Sequence, residues 1–314
     1  MEIAINAVLT IVGIAMLCYG GNWLVSGGVA IAQKLGISKM LIGLTVVAYG
    51  TSTPELAASI AAAGEHGEII LGNVIGSNIA NVGMVIGIAA IIAPLVIKKA
   101  QIRKEVPIMV GVSFLLVLLS FDGEISQYDG ILLIASLIAF TVFTYKDAKK
   151  QRDESADENN DEKIQRKKFY PKTFVLLGIG IVLLFFGAIL TVDNAVILAE
   201  SFGLSERIIG ITVIAIGTSL PELITSIIAI RKGHTDIGIG NIIGSNIYNI
   251  LMIMGIGATI AGVAVVSEVF VDYAVMIGFA LVLFIAMKIG LITRPIGIGI
   301  TIAYFVYLAA ALFF

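Results

Sequence analysis

The sequence predicts an all-α polytopic membrane protein: ten transmembrane helices in two inverted five-helix repeats, with broken helices at a central polar site. Three observations predict it. The chain of 314 residues is 58% hydrophobic and only 13% charged, with a mean hydropathy of +1.03. Its Lys and Arg alternate from one connection between apolar stretches to the next. Two motifs each occur twice, in the same order.

Hydropathy sets the class. A soluble domain of this size needs a largely polar and charged surface, which this composition cannot supply. A bilayer removes the difficulty, because lipid can face apolar side chains directly. A helix needs about 20 apolar residues to span the hydrocarbon. Ten stretches qualify, roughly 3–30, 40–64, 69–95, 106–121, 129–145, 172–199, 207–230, 237–265, 270–287 and 295–313. Barrel strands would be about 10 residues long and alternate in polarity, and these stretches do neither. The first is not read as a signal peptide, since only Glu2 and no basic segment precedes it. Cys18 is the single cysteine, so no intramolecular disulfide can form.

Charge sets the orientation. Connections after the odd-numbered spans hold Lys34 and Lys39, then Lys98, Lys99, Arg103 and Lys104, then nine cations between Lys146 and Lys172, then Arg231 and Lys232, then Lys288 and Arg294. That is 19 of the chain's 20 Lys and Arg, and the other side holds only Arg207. By the positive-inside rule the odd connections are cytoplasmic and both termini lie outside a cell membrane. Acids such as Glu65, Glu68, Asp122, Glu124, Asp129, Glu200, Glu206, Glu268 and Asp272 fall on the outer side.

The repeat sets the architecture. The stretch QRDESADENNDEKIQRKK mixes charges and lacks apolar content, so it reads as a solvated linker. It divides the chain into a first repeat at 1–146, a cytoplasmic linker at 147–171 and a second repeat at 172–314. IGLTVVAYGTSTPELAASI (42–60) matches IGITVIAIGTSLPELITSI (209–227) at an offset of 167. LGNVIGSNIANVGMVIG (71–87) matches IGNIIGSNIYNILMIMG (239–255) at an offset of 168. The first spans also align, YGGNWLVSGG (19–28) against FGAILTVDNA (186–195). Five spans per half is an odd number, which forces opposite orientations. Inverted repeats with interrupted helices and a midplane site recur in secondary transporters.

Those motifs carry the chemistry of a cation site. Pro54 lacks an N–H and its ring clashes with the carbonyl four residues back, which frees the C=O of Gly50. Thr51, Ser52 and Thr53 can satisfy local backbone, so a break is expected near 48–54. Pro221 repeats this beside Gly217, Thr218 and Ser219. Broken backbone at membrane depth is tolerated where it is buried in protein or lines a polar cavity. A carboxylate follows each break, Glu55 and Glu222, although charge in the bilayer core costs about 3 kcal/mol or more. Free carbonyls, hydroxyls and carboxylates are hard oxygen donors, of which Ca²⁺ takes about 6–8. Two Glu balance one Ca²⁺, whereas a pair of protonated structural Glu would give the hydroxyls and broken backbone no role.

Facing these is a stripe. Asn73, Ser77 and Asn81 lie four apart on one helical face, as do Asn241, Ser245 and Asn249. Gly72, Gly76, Gly240 and Gly244 run alongside and would permit close helix contact. Asn73 and Asn241, near the span ends, read as interhelical hydrogen-bond ties; Ser77 and Ser245 read as ion ligands; Asn81 and Asn249 fit either role. Asp193, aligned with Ser26, either lines an entry path or is structural. His66 and His234 lack metal-ligand companions and read as surface residues. Cys18, Tyr19 and Trp23 read as packing against neighbours or lipid.

The paired GTS-x-PEL and GN-x-IGSN-I-x-N segments resemble the two alpha-repeats of the sodium/calcium exchanger family, within the cation/calcium exchanger superfamily, along the whole chain. The short linker makes it similar to prokaryotic-type members, without large cytoplasmic Ca²⁺-sensing domains. The resemblance implies a ten-helix bundle in which spans two, three, seven and eight form the ion-binding core, while the long first and sixth helices slide across it. It implies ligands from Thr51, Ser52, Glu55 and Ser77, from Thr218, Ser219, Glu222 and Ser245, and from the carbonyls of Ala48 and Ala215. A central Ca²⁺ site is expected, with Na⁺ sites overlapping and flanking it. In the family an acid at the position of Asn249 accompanies K⁺ dependence in some members; Asn here leans towards K⁺ independence. The expected function is Na⁺/Ca²⁺ antiport by alternating access, electrogenic, with H⁺/Ca²⁺ or K⁺-dependent exchange as the alternative and a cation channel as the reading from another class. A channel would not need two inverted sites. No nucleophile–base pair or His/Cys cluster suggests an enzyme. No organic cofactor and no nucleic-acid partner are expected; the chain should work as a monomer in the lipid bilayer, with Ca²⁺ and Na⁺ as cargo.

Overall fold

The structure is a computed structural model, and it describes residues 2–63, 67–96, 103–158, 171–204, 213 and 215–311. His66, Glu65, Lys98, Lys99, Glu206, Arg207 and most of the linker lie outside the described residues. Helix α1 spans Glu2–Leu35. Two pieces follow, α2 (Lys39–Thr51) and α3 (Thr53–Ala62). Then come α4 (Gly67–Ile92), α5 (Glu105–Leu119) and α6 (Gln127–Glu158). After the linker, α7 is Pro171–Ser201, α8 Ala215–Thr218 and α9 Leu220–Arg231. Helix α10 is Thr235–Ala261, α11 Val269–Ile289 and α12 Arg294–Ala311. Among the described residues, seven helices are long and apolar enough to cross a membrane (in α1, α4, α6, α7, α10, α11 and α12), and α2 and α5 are shorter apolar helices.

Burial separates two kinds of helix. In the apolar windows of α4 and α10, 78% and 89% of residues are buried, against 22% in α1. Helices that are apolar all round belong inside protein or against lipid. Here α4 and α10 take the inside, and α1 with α7 forms a pair along the outside of the core. That pair closes on glycine: a Cβ on Gly20 would lie 2.8 Å from the Gly180 carbonyl oxygen. The same device seats α10 on α2, where a Cβ on Gly240 would lie 2.5 Å from the Met40 carbonyl and one on Gly244 2.5 Å from that of Leu44. For Gly72 and Gly76 no described atom comes within 4 Å of a Cβ. Their counterpart segment, 205–212, lies outside the described residues.

Three local features depart from the sequence expectation. Helices α4 and α10 stop at Ile92 and Ala261, short of 95 and 265, and short strands follow. Ala93 is extended at φ −146° ahead of Pro94, and Gly262 takes φ 70°, a left-handed conformation natural only to glycine. Leu95–Val96 then pairs antiparallel with Leu291–Ile292, and Glu124–Ile125 with Val263–Ala264. Helix α6 runs to Glu158, well past 145 and into the stretch read as linker. Residues 146–158 contain no Gly or Pro and are rich in Lys, Glu and Ala, so nothing stops the helix. Finally, Gly43–Val47, Asn81–Ile86 and Asn249–Met254 are π-helical, which no sequence pattern announced.

Candidate ion-binding site

The breaks fall at single serines. Ser52 sits at φ −84°, ψ 7° between α2 and α3, and Ser219 at φ −87°, ψ 4° between α8 and α9. Each is followed by a proline in the first two helical positions, where its missing N–H is harmless. Glu55 and Glu222 therefore stand in the first turns of α3 and α9, where the helix dipole favours negative charge. Both are buried, at 1% and 0% exposure. They are close enough to interact electrostatically. The π segment carrying Asn249 packs on α3, and the one carrying Asn81 packs on α9, so the two halves cross at this point. π distortions of helices are frequent at functional sites.

The hydrogen bonds cross as well. Ser52 Oγ donates to Glu222 Oε1 at 3.1 Å, and Ser245 Oγ donates to the same atom at 3.3 Å. Thr51 Oγ1 lies 3.0 Å from Asn241 Oδ1 and 3.4 Å from Ser245 Oγ. The Ala48 carbonyl accepts from Ser52 N at 3.0 Å and faces Thr51 Oγ1 at 3.3 Å. Ser77 Oγ donates to Asn73 Oδ1 at 3.4 Å. Asn73 and Asn241 behave as ties: Asn73 Nδ2 reaches Ser59 Oγ at 3.1 Å, and Asn241 Nδ2 reaches Ser226 Oγ at 3.1 Å. Thr218 is half-buried on α8, whose backbone also carries Ala215.

What remains unpaired defines the chemistry. Among the described residues, the buried side-chain atoms without a hydrogen-bond partner are both carboxylate oxygens of Glu55, Oε2 of Glu222, Oδ1 of Asn81 and of Asn249, Oγ of Ser219 and Oγ1 of Thr225. Thr225 faces α1, where a Cβ on Gly21 would lie 2.9 Å from its Oγ1. The others belong to the residues singled out from the motifs. All are oxygens. Buried unpaired polar atoms are rare in folded proteins, and buried unpaired charges rarer. A hard cation is the partner such a set fits, since Ca²⁺ coordinates oxygen only, from carboxylates, amide carbonyls and hydroxyls. Among the described residues no group of three His, Cys, Asp or Glu gathers, and the donor set lacks the nitrogen and sulfur that softer metals prefer.

The chain matches the family profile described as sodium/calcium exchanger protein over residues 5–146 and 172–313. It belongs to the sodium/calcium exchanger family. Sodium/calcium exchanger MaX1 of Methanosarcina acetivorans is 31% identical over 92% of this chain and 93% of its own length. Inner membrane protein YrbG of Escherichia coli is 38% identical, with 80% of this chain and 79% of YrbG covered. The solved sodium/calcium exchanger from Methanococcus jannaschii superposes with a TM-score of 0.84 at 31% identity, covering 98% of each chain. As an exchanger of this family the chain is a multi-pass membrane protein and a cation/Ca²⁺ antiporter.

The remaining sequence candidates do not join the site. Asp193 is exposed on α7, Cys18 is exposed, and the rings of Tyr19 and Trp23 lie 6.4 Å apart between centres, tilted by 53°. His234 accepts from Lys39 Nζ at 3.2 Å, far along the chain but adjacent in space. Two residues escaped the sequence reading. Asn78 and Asn246 are buried at 2% and 3% and contact the amides of Asn249 and Asn81. Their signal was present: both occupy the Asn of GSN in the duplicated motif.

Proposed function

We propose that this exchanger moves Ca²⁺ against Na⁺ by alternating access, through ten spans in two inverted repeats with external termini and a cytoplasmic linker. Glu55 and Glu222 supply the charge for a central Ca²⁺ site. Asn81 and Asn249 supply amide oxygens, and Thr51, Ser52, Ser77, Thr218, Ser219 and Ser245 supply hydroxyls, with the carbonyls of Ala48 and Ala215 nearby. The single observation that carries this reading is the set of buried unpaired oxygens on residues from both motif copies. Two carboxylates neutralise one Ca²⁺, and the neutral oxygens around them suit Na⁺, which needs several such donors. Three Na⁺ in overlapping sites would leave a net charge of +1 on the returning site, so exchange is electrogenic. The names of the Methanosarcina and Methanococcus proteins support Na⁺ as the coupling ion. The neutral Asn at 249 supports K⁺ independence.

The test is Ca²⁺ uptake into proteoliposomes loaded with Na⁺, with K⁺, or with an acid interior. Saturable uptake that requires internal Na⁺ is the expected result. Uptake driven by the proton gradient alone replaces Na⁺ with H⁺, uptake requiring K⁺ as well replaces it with joint transport, and non-saturating flux without a counterion is a channel's behaviour.

A further inference from the structure

The amides of Asn81 and Asn249 pose a problem of direction. A carboxamide has one acceptor end and one donor end, and only the oxygen can face a cation. Each amide is locked. Asn249 Nδ2 donates to Asn78 Oδ1 at 3.2 Å, and Asn81 Nδ2 donates to Asn246 Oδ1 at 3.0 Å. That leaves Oδ1 of Asn249 and Oδ1 of Asn81 buried without a partner.

The lock has a second link. Asn78 Nδ2 points at Met276 Sδ at 3.8 Å, and Asn246 Nδ2 points at Met109 Sδ at 3.7 Å and at the Asn78 carbonyl at 3.4 Å. A thioether has no proton and can only accept. It therefore selects the nitrogen end of Asn78 or Asn246 and turns the oxygen end towards the next amide. Both methionines are buried, Met109 at 1% on α5 and Met276 at 2% on α11. In a low-dielectric interior such chains hold their direction, because a reversed member leaves donor facing donor. The arrangement occurs twice, each time across the two halves, and Met109 and Met276 are 167 residues apart, the offset of the first motif pair.

We infer that Asn78 and Asn246, oriented by the sulfurs of Met276 and Met109, are positioning residues that turn the oxygens of Asn249 and Asn81 towards the transported cation. The inference rests on the ion site proposed above, and it gives α5 and α11, which carry none of the proposed ligands, a part in ion binding.

The test is a double-substitution cycle on the detergent-purified full chain, with the Ca²⁺ dissociation constant read by titration calorimetry. Asn78→Leu removes the acceptor that holds Asn249 and should weaken Ca²⁺ binding about tenfold, the scale of one buried hydrogen bond. Asn249→Asp presents two acceptor oxygens and needs no orienting. In that background Asn78→Leu should change affinity by no more than about twofold, the scatter expected of uncoupled sites. Met276→Leu conserves core volume and covers the case in which Asn78→Leu fails to fold. It should weaken binding about threefold, as expected for a weak sulfur acceptor, and again only where residue 249 is Asn. Equal losses in the Asn249 and Asn249→Asp backgrounds, or no loss in either, overturn the relay while leaving the ion site intact. Failure of the unmodified protein to bind Ca²⁺ overturns the ion site and the relay together.

Discussion

Glu222→Gln is the substitution whose outcome the structure constrains most tightly. One oxygen of Glu222, Oε1, accepts from Ser52 at 3.1 Å and Ser245 at 3.3 Å, while Oε2 has no donor. Glutamine has the same shape. Its amide oxygen can inherit both hydroxyl bonds, which puts the NH₂ where Oε2 stood. A cation then loses one ligand and one negative charge, and it meets two N–H groups. Removing one member of a buried charge pair costs about 3–5 kcal/mol, and each 1.4 kcal/mol is tenfold, so Ca²⁺ affinity should fall at least about a hundredfold. Without ions the sign reverses. Glu55 and Glu222 interact, and two buried like charges oppose each other, so the variant should melt no lower than wild type in a Ca²⁺ chelator. The assay is thermal unfolding of purified protein in chelator and then in Ca²⁺. A ligand at 100 times its dissociation constant stabilises by about 2.7 kcal/mol; the variant should show almost none of that gain at the same Ca²⁺. Ca²⁺ stabilisation equal to wild type in a well-folded Glu222→Gln protein would refute the reasoning.

Four other outcomes are expected. Gly244→Ala places a methyl 2.5 Å from the Leu44 carbonyl and 2.7 Å from Ala48 Cβ, so α2 must shift; stability should drop by about 1–3 kcal/mol, and an unchanged melting point would show that the contact yields freely. Burial, then Lys39 and Lys232, hold the His234 imidazole below its usual 6.5, so the stability tied to the neutral ring is complete above pH 6.5 and is lost as pH falls through the lowered value. Melting points between pH 7 and 5 should fall more steeply for wild type than for His234→Gln, and parallel curves would remove His234 as the cause. With Cys18 replaced, Ser155→Cys should resist an impermeant thiol reagent in intact cells; labelling from outside would reverse the topology. An inside-positive potential set with K⁺ and valinomycin should speed Ca²⁺ entry into Na⁺-loaded vesicles, since one net charge per cycle is worth about 2.3 kcal/mol per 100 mV, and indifference to voltage would point to a two-Na⁺ or two-H⁺ cycle.

The fold was legible where one residue type has one physical consequence. Pro54 and Pro221 marked the breaks to within two residues of Ser52 and Ser219, because a missing N–H and a ring clash act locally. Glu55 and Glu222 stood out in the sequence because an acid between long apolar runs is costly at membrane depth, and both are buried. The length of α6 was not legible in the same way. Loss of hydropathy marks where a helix leaves lipid, and helix propensity decides where it ends, so α6 carries on to Glu158. The π segments at Asn81–Ile86 and Asn249–Met254 have no composition of their own; they lie in α4 and α10, whose apolar windows are mostly buried.

The two motif copies also limit what duplication can tell. Ser52 and Ser219 are matched, as are Ser77 and Ser245, yet Ser52 and Ser245 both bond Glu222 while Ser77 bonds Asn73 and Ser219 Oγ has no partner. Near-identical sequences therefore give one carboxylate with two hydroxyl donors and one with none. Spacing along a helix tells which oxygens share a face, because residues four apart lie one above the other. Which of them stays without a partner is decided across the halves, by pairs such as Asn81 with Asn246 and Asn249 with Asn78. Those pairs lie more than 160 residues apart in the chain, beyond the reach of any helical periodicity. The same holds for the sulfurs of Met109 and Met276, which look like ordinary core residues on apolar helices until the amide in front of each is given a direction.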